Sequence, residues 1–193
     1  MEELEVKLEK AVAESNDVLT ICIAEKMIRN TKNSKVLLHY ASALKKQRRY
    51  DEAIKVFEKL LENCSEKCKP WLLHDLAEIE SEKGKFKKAL KIWLEAHQLN
   101  PKEATFLIFA STMAFRLGKF KKAEKLARMA ANCQDGCIDE AFYNLGVYLT
   151  VQLAYKKALK CYEKAIEISP EYKDAIKRRD DLLETLKFEK ENN

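Results

Sequence analysis

The hexapeptide Gly84-Lys85-Phe86-Lys87-Lys88-Ala89 returns unchanged, 34 residues later, as Gly118-Lys119-Phe120-Lys121-Lys122-Ala123. A looser copy, Ala154-Tyr155-Lys156-Lys157-Ala158, follows 35 residues after that. Arg49-Tyr50-Asp51-Glu52-Ala53 precedes the first by 36. Self-similarity at such a period marks an array in which each unit buries its apolar side against the next. With four Gly, three Pro and 35% charged residues, the chain lacks the turn residues a sheet protein needs. The repeat is therefore helical.

The residues around each copy set the register. Four residues after Ala53, Ala89, Ala123 and Ala158 come Phe57, Trp93, Ala127 and Tyr162, then, three further, Leu60, Ala96, Ala130 and Ala165. Steps of four and three keep these side chains on one helical face. Upstream, Leu37, Leu73, Leu107 and Phe142 lead a second amphipathic stretch with the small residues Ala41, Ala77, Ser111 and Gly146. Small residues at fixed places let two helices cross closely. Each unit is thus a pair of helices joined by a tight turn. Pro101 and Pro170 fall just past second helices, and Pro70 opens the next first helix.

This pattern resembles the tetratricopeptide repeat family, most completely in Phe142, Leu145-Gly146, Leu149, Ala158, Tyr162 and Pro170. The resemblance implies an all-α, right-handed α-solenoid of stacked antiparallel helix pairs. Clear repeats are expected at 34–69, 70–103, 104–138 and 139–170. Residues 1–33 read as a degenerate repeat, with Leu4, Leu8 and Ala11 followed by Thr20, Ala24 and Met27. A capping helix over 171–188, striped by Tyr172, Ile176, Leu183 and Leu186, would complete one domain spanning 1–188, and 189–193 would fray.

The resemblance also implies a non-catalytic scaffold whose first helices line a concave groove. The N-terminal half of that groove would be charged. It draws on Glu2, Glu5, Val6, Glu9 and Val12, then Lys35, Leu38, His39, Ser42, Lys45 and Lys46, then Trp71, His74, Asp75, Glu78 and Glu82. The C-terminal half is apolar, with Ile108, Phe109, Thr112, Phe115, Tyr143, Asn144, Val147 and Val151 as the expected site for a peptide or amphipathic helix of a protein partner. Its side chains could instead be buried by tight curvature or by the C-terminal helix. Family members that bind the acidic tails of Hsp70 and Hsp90 use a clamp of Lys, Asn and Arg. The corresponding positions here, among them Leu38, Ser42, Asp75, Thr105 and Phe109, lack those cations, which argues against such a tail.

A second surface is basic. Lys85, Lys87, Lys88, Lys119, Lys121, Lys122, Lys156 and Lys157 recur at the turn of successive repeats. They offer an alternative docking edge for RNA, an acidic protein or an anionic surface. A third reading is a structural subunit that associates with itself or with a larger complex.

No chemistry-bearing motif accompanies the repeats. Four glycines, each in a turn or a helix crossing, build no phosphate loop. The pairs Cys64/Cys68 and Cys133/Cys137 have a spacing of Cys-x3-Cys and lie far apart in sequence, so reduced thiols are expected rather than a metal site. His39 and His74, with Asp75 and Glu78 near, read as polar groove members. Neither catalytic residues nor a cofactor is expected. The acidic opening Met1-Glu2-Glu3-Leu4-Glu5 is unlike a secretory signal, and the run Ala104–Ala110 is too short to span a bilayer. The expected location is cytoplasmic.

Overall fold

The computed structural model describes residues 2–29 and 33–192. Among them are eleven helices: α1 (Glu2–Ala13), α2 (Asp17–Ile28), α3 (Ser34–Lys46), α4 (Tyr50–Glu62), α5 (Lys69–Glu82), α6 (Phe86–Leu99), α7 (Thr105–Arg116), α8 (Phe120–Ala130), α9 (Ile138–Val151), α10 (Tyr155–Ile168) and α11 (Lys173–Glu191). The chain divides into two compact units, one running to Glu82 and the other starting at Lys83. The division falls between the two helices of the 70–103 repeat. Within each unit, consecutive helices pack as pairs.

One backbone device recurs at every turn inside a pair. Ser15, Arg48, Gly84, Gly118 and Leu153 all have positive φ, between 53° and 72°. In four of these turns the bonding is the same. The N–H three residues past each helix end reaches back five residues, as in Arg49 N to Leu44 O, Lys119 N to Ala114 O, Ala154 N to Leu149 O and Asn16 N to Ala11 O, each at 2.9 Å. This left-handed helix stop satisfies carbonyls that would otherwise be orphaned, and it reverses the chain within three residues. Glycine takes the conformation without strain only at 84 and 118; Ser15, Arg48 and Leu153 adopt it against their Cβ. The same device stands at Ser15, one period before Arg48.

The recurring small residues occupy the crossings. Ala53, Ala89, Ala123 and Ala158 are fully buried, as are Ala41, Ala77 and Ser111. The large residues one turn on, Phe57, Trp93 and Tyr162, fill the space beyond. At the α9–α10 crossing the approach is closest: a Cβ on Gly146 would stand 2.6 Å from the Tyr162 ring. In the N-terminal unit, Leu8, Ala11, Ala24, Met27 and Val36 form one core cluster. Ala41, Leu44, Ala53, Phe57, Leu60, Leu76 and Ile79 form another.

Two expectations shift at the C-terminus. Helix α11 runs to Glu191, through the segment expected to fray, because Glu189-Lys190-Glu191 holds no breaker and Lys187 pairs with Glu191 at 3.9 Å. Its buried side chains are Ala175 and Leu182, with Leu183 exposed. Tyr172, Ala175, Ile176, Arg179, Leu182 and Leu186 carry the inner stripe, so of the expected residues only Leu183 leaves it, with Leu182 in its place.

The α6–α7 and α8–α9 connections also pair. Gln134 N and Asp135 N donate to Lys102 O, and Ala104 N donates to Asp135 O. The buried Glu103 carboxylate accepts from Thr105 N and Thr105 Oγ1, closing the start of α7.

Two substitutions probe these constraints. Gly146→Ala should lower stability, because overpacking against Tyr162 at about 1–3 kcal/mol outweighs a helix-propensity gain of about 1 kcal/mol; a higher melting temperature would show that the ring has room to move. Leu153 is 72% exposed, so Leu153→Gly loses no packing. Relief of left-handed strain should exceed the added unfolded-state entropy and stabilise the chain by roughly 0.5 kcal/mol, read from urea midpoints.

Candidate functional site

The apolar residues expected to line the C-terminal groove mostly pack against the repeats themselves. Ile108 is 2% exposed and belongs to the core, which corrects its assignment to a binding surface. Phe109 stacks on Trp93 with ring centroids 5.1 Å apart. Phe115 stacks on Tyr148 at 4.8 Å and meets Phe120 edge-on at 5.3 Å. Tyr143 lies between Tyr162 and Tyr172, at 6.0 and 5.2 Å. Thr112 Oγ1 donates to Ile108 O at 3.1 Å and lies 3.4 Å from the Tyr148 hydroxyl. Burial pushes the Tyr148 and Tyr172 hydroxyls above the usual tyrosine range. Tyr172 precedes α11, so the start of the C-terminal helix covers the Tyr143 end of this face. Asn144 and Val147 are half-buried, and Val151 alone of the eight is an exposed large hydrophobic.

The first-helix face of the N-terminal unit is more open. Its stripes on α1, α3 and α5 are tied together by ion pairs between side chains of neighbouring first helices. Lys35 Nζ meets Glu9 Oε1 at 2.7 Å, joining α3 to α1. Lys45 bonds both Asp75 and Glu78, the latter at 2.7 Å, joining α3 to α5. Burial pulls the Lys45 ammonium down, but its two carboxylate partners more than offset this and raise its pKa. A hydrogen bond from Lys35 holds the Glu9 carboxyl below the usual range. Between α1 and α3 opens a notch of about 410 Å³, lined by Glu5, Val6, Glu9, Lys35, His39 and neighbours. His39 Nε2 is buried there without a hydrogen-bond partner, 3.8 Å from Glu9. Val6, Leu38 and Trp71 stand exposed on the same stripes, at 66%, 38% and 44%. Trp71 meets His74 edge-on. The sequence placed these residues in the charged half of the groove. It gave no sign that the charges would pair among themselves and leave the hydrophobic residues standing out.

The lysines of the basic edge, Lys85, Lys87, Lys88, Lys119, Lys121, Lys122, Lys156 and Lys157, are all exposed. Lys85 and Lys119 sit at the N-caps of α6 and α8 without a side-chain cap bond, and the first turns of α6, α8 and α10 hold no acid. All six cysteines are free. Among the described residues no three His, Cys, Asp or Glu side chains group as metal ligands. None of the described helices is long and apolar enough to cross a membrane.

Two tetratricopeptide repeat models match the chain, over residues 34–66 and 139–172. The chain belongs to the tetratricopeptide repeat family. Human protein O-mannosyl-transferase TMTC1 is 26% identical over 99 residues, which is 51% of this chain and 11% of that protein. A thermophilic repeat protein of Thermus thermophilus superposes with a TM-score of 0.66 at 20% identity, covering 93% of this chain and 98% of its own. The first repeat domain of Spaghetti (RPAP3), solved bound to an HSP90 peptide, superposes at 0.56 and 20% identity, covering 61% of this chain and 92% of its own. Tetratricopeptide repeats are in general protein-interaction scaffolds.

The ring stacks separate folding from binding. Phe115→Glu should cost at least about 3 kcal/mol by placing a charge among stacked rings, whereas Val151→Glu should cost less than about 0.5 kcal/mol. Thermal unfolding of the two variants measures the difference; equal stabilities would mean that the Phe115 ring is not packed as described.

Proposed function

We propose that the chain is a non-catalytic scaffold that holds a peptide or amphipathic helix of a partner protein against its first helices. The observation that carries this reading is the face of α1, α3 and α5, where Val6, Leu38 and Trp71 are exposed beside ion-paired side chains. Burying such residues against a partner is favourable at about 25 cal/mol per Å² of apolar surface. The RPAP3 domain, bound to a peptide, shows one use of this fold. The acidic character of the present face supports a partner other than an acidic chaperone tail, because like charges would meet. Within the C-terminal unit, Val147, Val151 and Asn144 make a smaller patch of their own.

A second reading, docking of an acidic protein, RNA or an anionic surface on the lysine edge, is favoured by one observation. The first turns of α6, α8 and α10 concentrate positive charge where the helix dipole already disfavours it, by a few tenths of a kcal/mol per residue.

Affinity purification from native extract with wild-type protein, Trp71→Ala and Lys87→Glu/Lys121→Glu/Lys122→Glu tests both. Loss of the captured proteins with Trp71→Ala alone is the expected result. Undiminished capture by Trp71→Ala overturns the first-helix site, and loss confined to the lysine variant transfers the function to the edge.

A further inference from the structure

The notch between α1 and α3 specifies more than an apolar anchor. Its walls are Glu5 and Glu9 on one side and Lys35 and His39 on the other, and Lys35 is already engaged by Glu9. Glu5 has no cationic partner among the described residues, and His39 Nε2 is buried with its bonding capacity unused. Across the whole face, the six carboxylates of Glu2, Glu5, Glu9, Asp75, Glu78 and Glu82 outnumber the three ammonium groups of Lys35, Lys45 and Lys46, and Lys46 pairs with Asp17 of α2. The unspent charge is negative. A partner that brought carboxylates here would meet repulsion, and one that brought only apolar groups would leave Glu5 and His39 unsatisfied.

We propose that this notch receives an arginine or lysine side chain of the partner segment, with Leu38 and Trp71 taking apolar residues that follow it. The inference rests on the scaffold reading above and adds the chemistry of the segment. A guanidinium or ammonium entering the notch supplies donors to Glu5, Glu9 and His39 Nε2, and arginine, with five donors in a planar fork, suits several acceptors at once. Ion pairs order the helices as α1, α3, α5, so Leu38 of α3 and then Trp71 of α5 lie beyond the notch, and the apolar residues follow the basic one along the segment.

The test uses two fluorescein-labelled peptides of equal length, identical except that arginine or glutamate precedes the leucines. Anisotropy gives the affinities. Emission from Trp71 reports contact at the site, because Trp93, the other tryptophan, is 1% exposed. The arginine peptide should bind about tenfold or more tighter than the glutamate peptide, weaken with added salt, and alter Trp71 emission. Glu5→Lys/Glu9→Lys should reverse the preference, Glu5→Gln should reduce it, and Phe188→Glu, on the exposed side of α11, should leave it unchanged; circular dichroism confirms that each variant remains helical. Equal binding of the two peptides, tighter binding of the glutamate peptide, or loss with Phe188→Glu and retention with Glu5→Lys/Glu9→Lys overturns the proposal while the scaffold reading stands. Binding of neither peptide also overturns it. The scaffold reading itself falls only if Trp71→Ala leaves capture from extract intact.

Discussion

The architecture depends on one residue per repeat taking a left-handed backbone conformation at the end of the first helix. With Ser15, Arg48, Gly118 or Leu153 in that conformation, the chain reverses within three residues. In the four turns at Ser15, Arg48, Gly118 and Leu153, the helix closes on itself through a bond spanning five residues. So tight a reversal sets the two helices side by side, and this is why the next positions must be small. Ala53, Ala89, Ala123 and Ala158 enter one turn into the second helix, where a larger side chain would push the pair apart. Three of the five turns tolerate a strained side chain. The strain of about 1–2 kcal/mol at each is small against the aromatic burial that the reversal makes available at Phe57, Trp93 and Tyr162.

Once the pairs are formed, the composition of the first helices decides which faces stay open. In the C-terminal unit the rings of Phe109, Phe115 and Tyr143 each find a ring partner on a neighbouring helix, and Tyr172 closes over the last of them. In the N-terminal unit the equivalent stripes carry charges. Lys35 and Lys45 tie α3 to α1 and α5, and the hydrophobic side chains between those ion pairs remain at the surface. Exposed ion pairs of this kind contribute little to stability, about 0–1 kcal/mol each. Their consequence is positional: they hold Glu9 and Asp75 in fixed directions beside Leu38 and Trp71.

The repeat register was legible because its determinants are local. Spacing of Ala and aromatic residues, two glycines and two prolines place every helix, and the buried set follows from them. The open surface was less legible, because a phenylalanine on a first helix reads identically whether it meets a partner or the next repeat. Phe115 and Trp71 differ only in what stands across from them: Tyr148, on the first helix of the next repeat, or solvent. The non-glycine turns at Arg48 and Leu153 were hidden for a similar reason. Their residue types argue against a left-handed conformation, and only the register they share with Gly84 and Gly118 requires it.

Charge placement bears on what such a scaffold can select. Acidic residues slightly outnumber basic ones up to Glu82, so the net positive charge of the chain resides wholly in the second unit. A segment carrying basic residues is therefore attracted to the unit with the open apolar face and repelled by the unit whose first-helix rings are occupied. Both effects act over about 10 Å at moderate salt, within reach of an approaching peptide. Selection by charge then operates before any side chain reaches the notch, and the apolar contacts at Leu38 and Trp71 determine how long the segment stays.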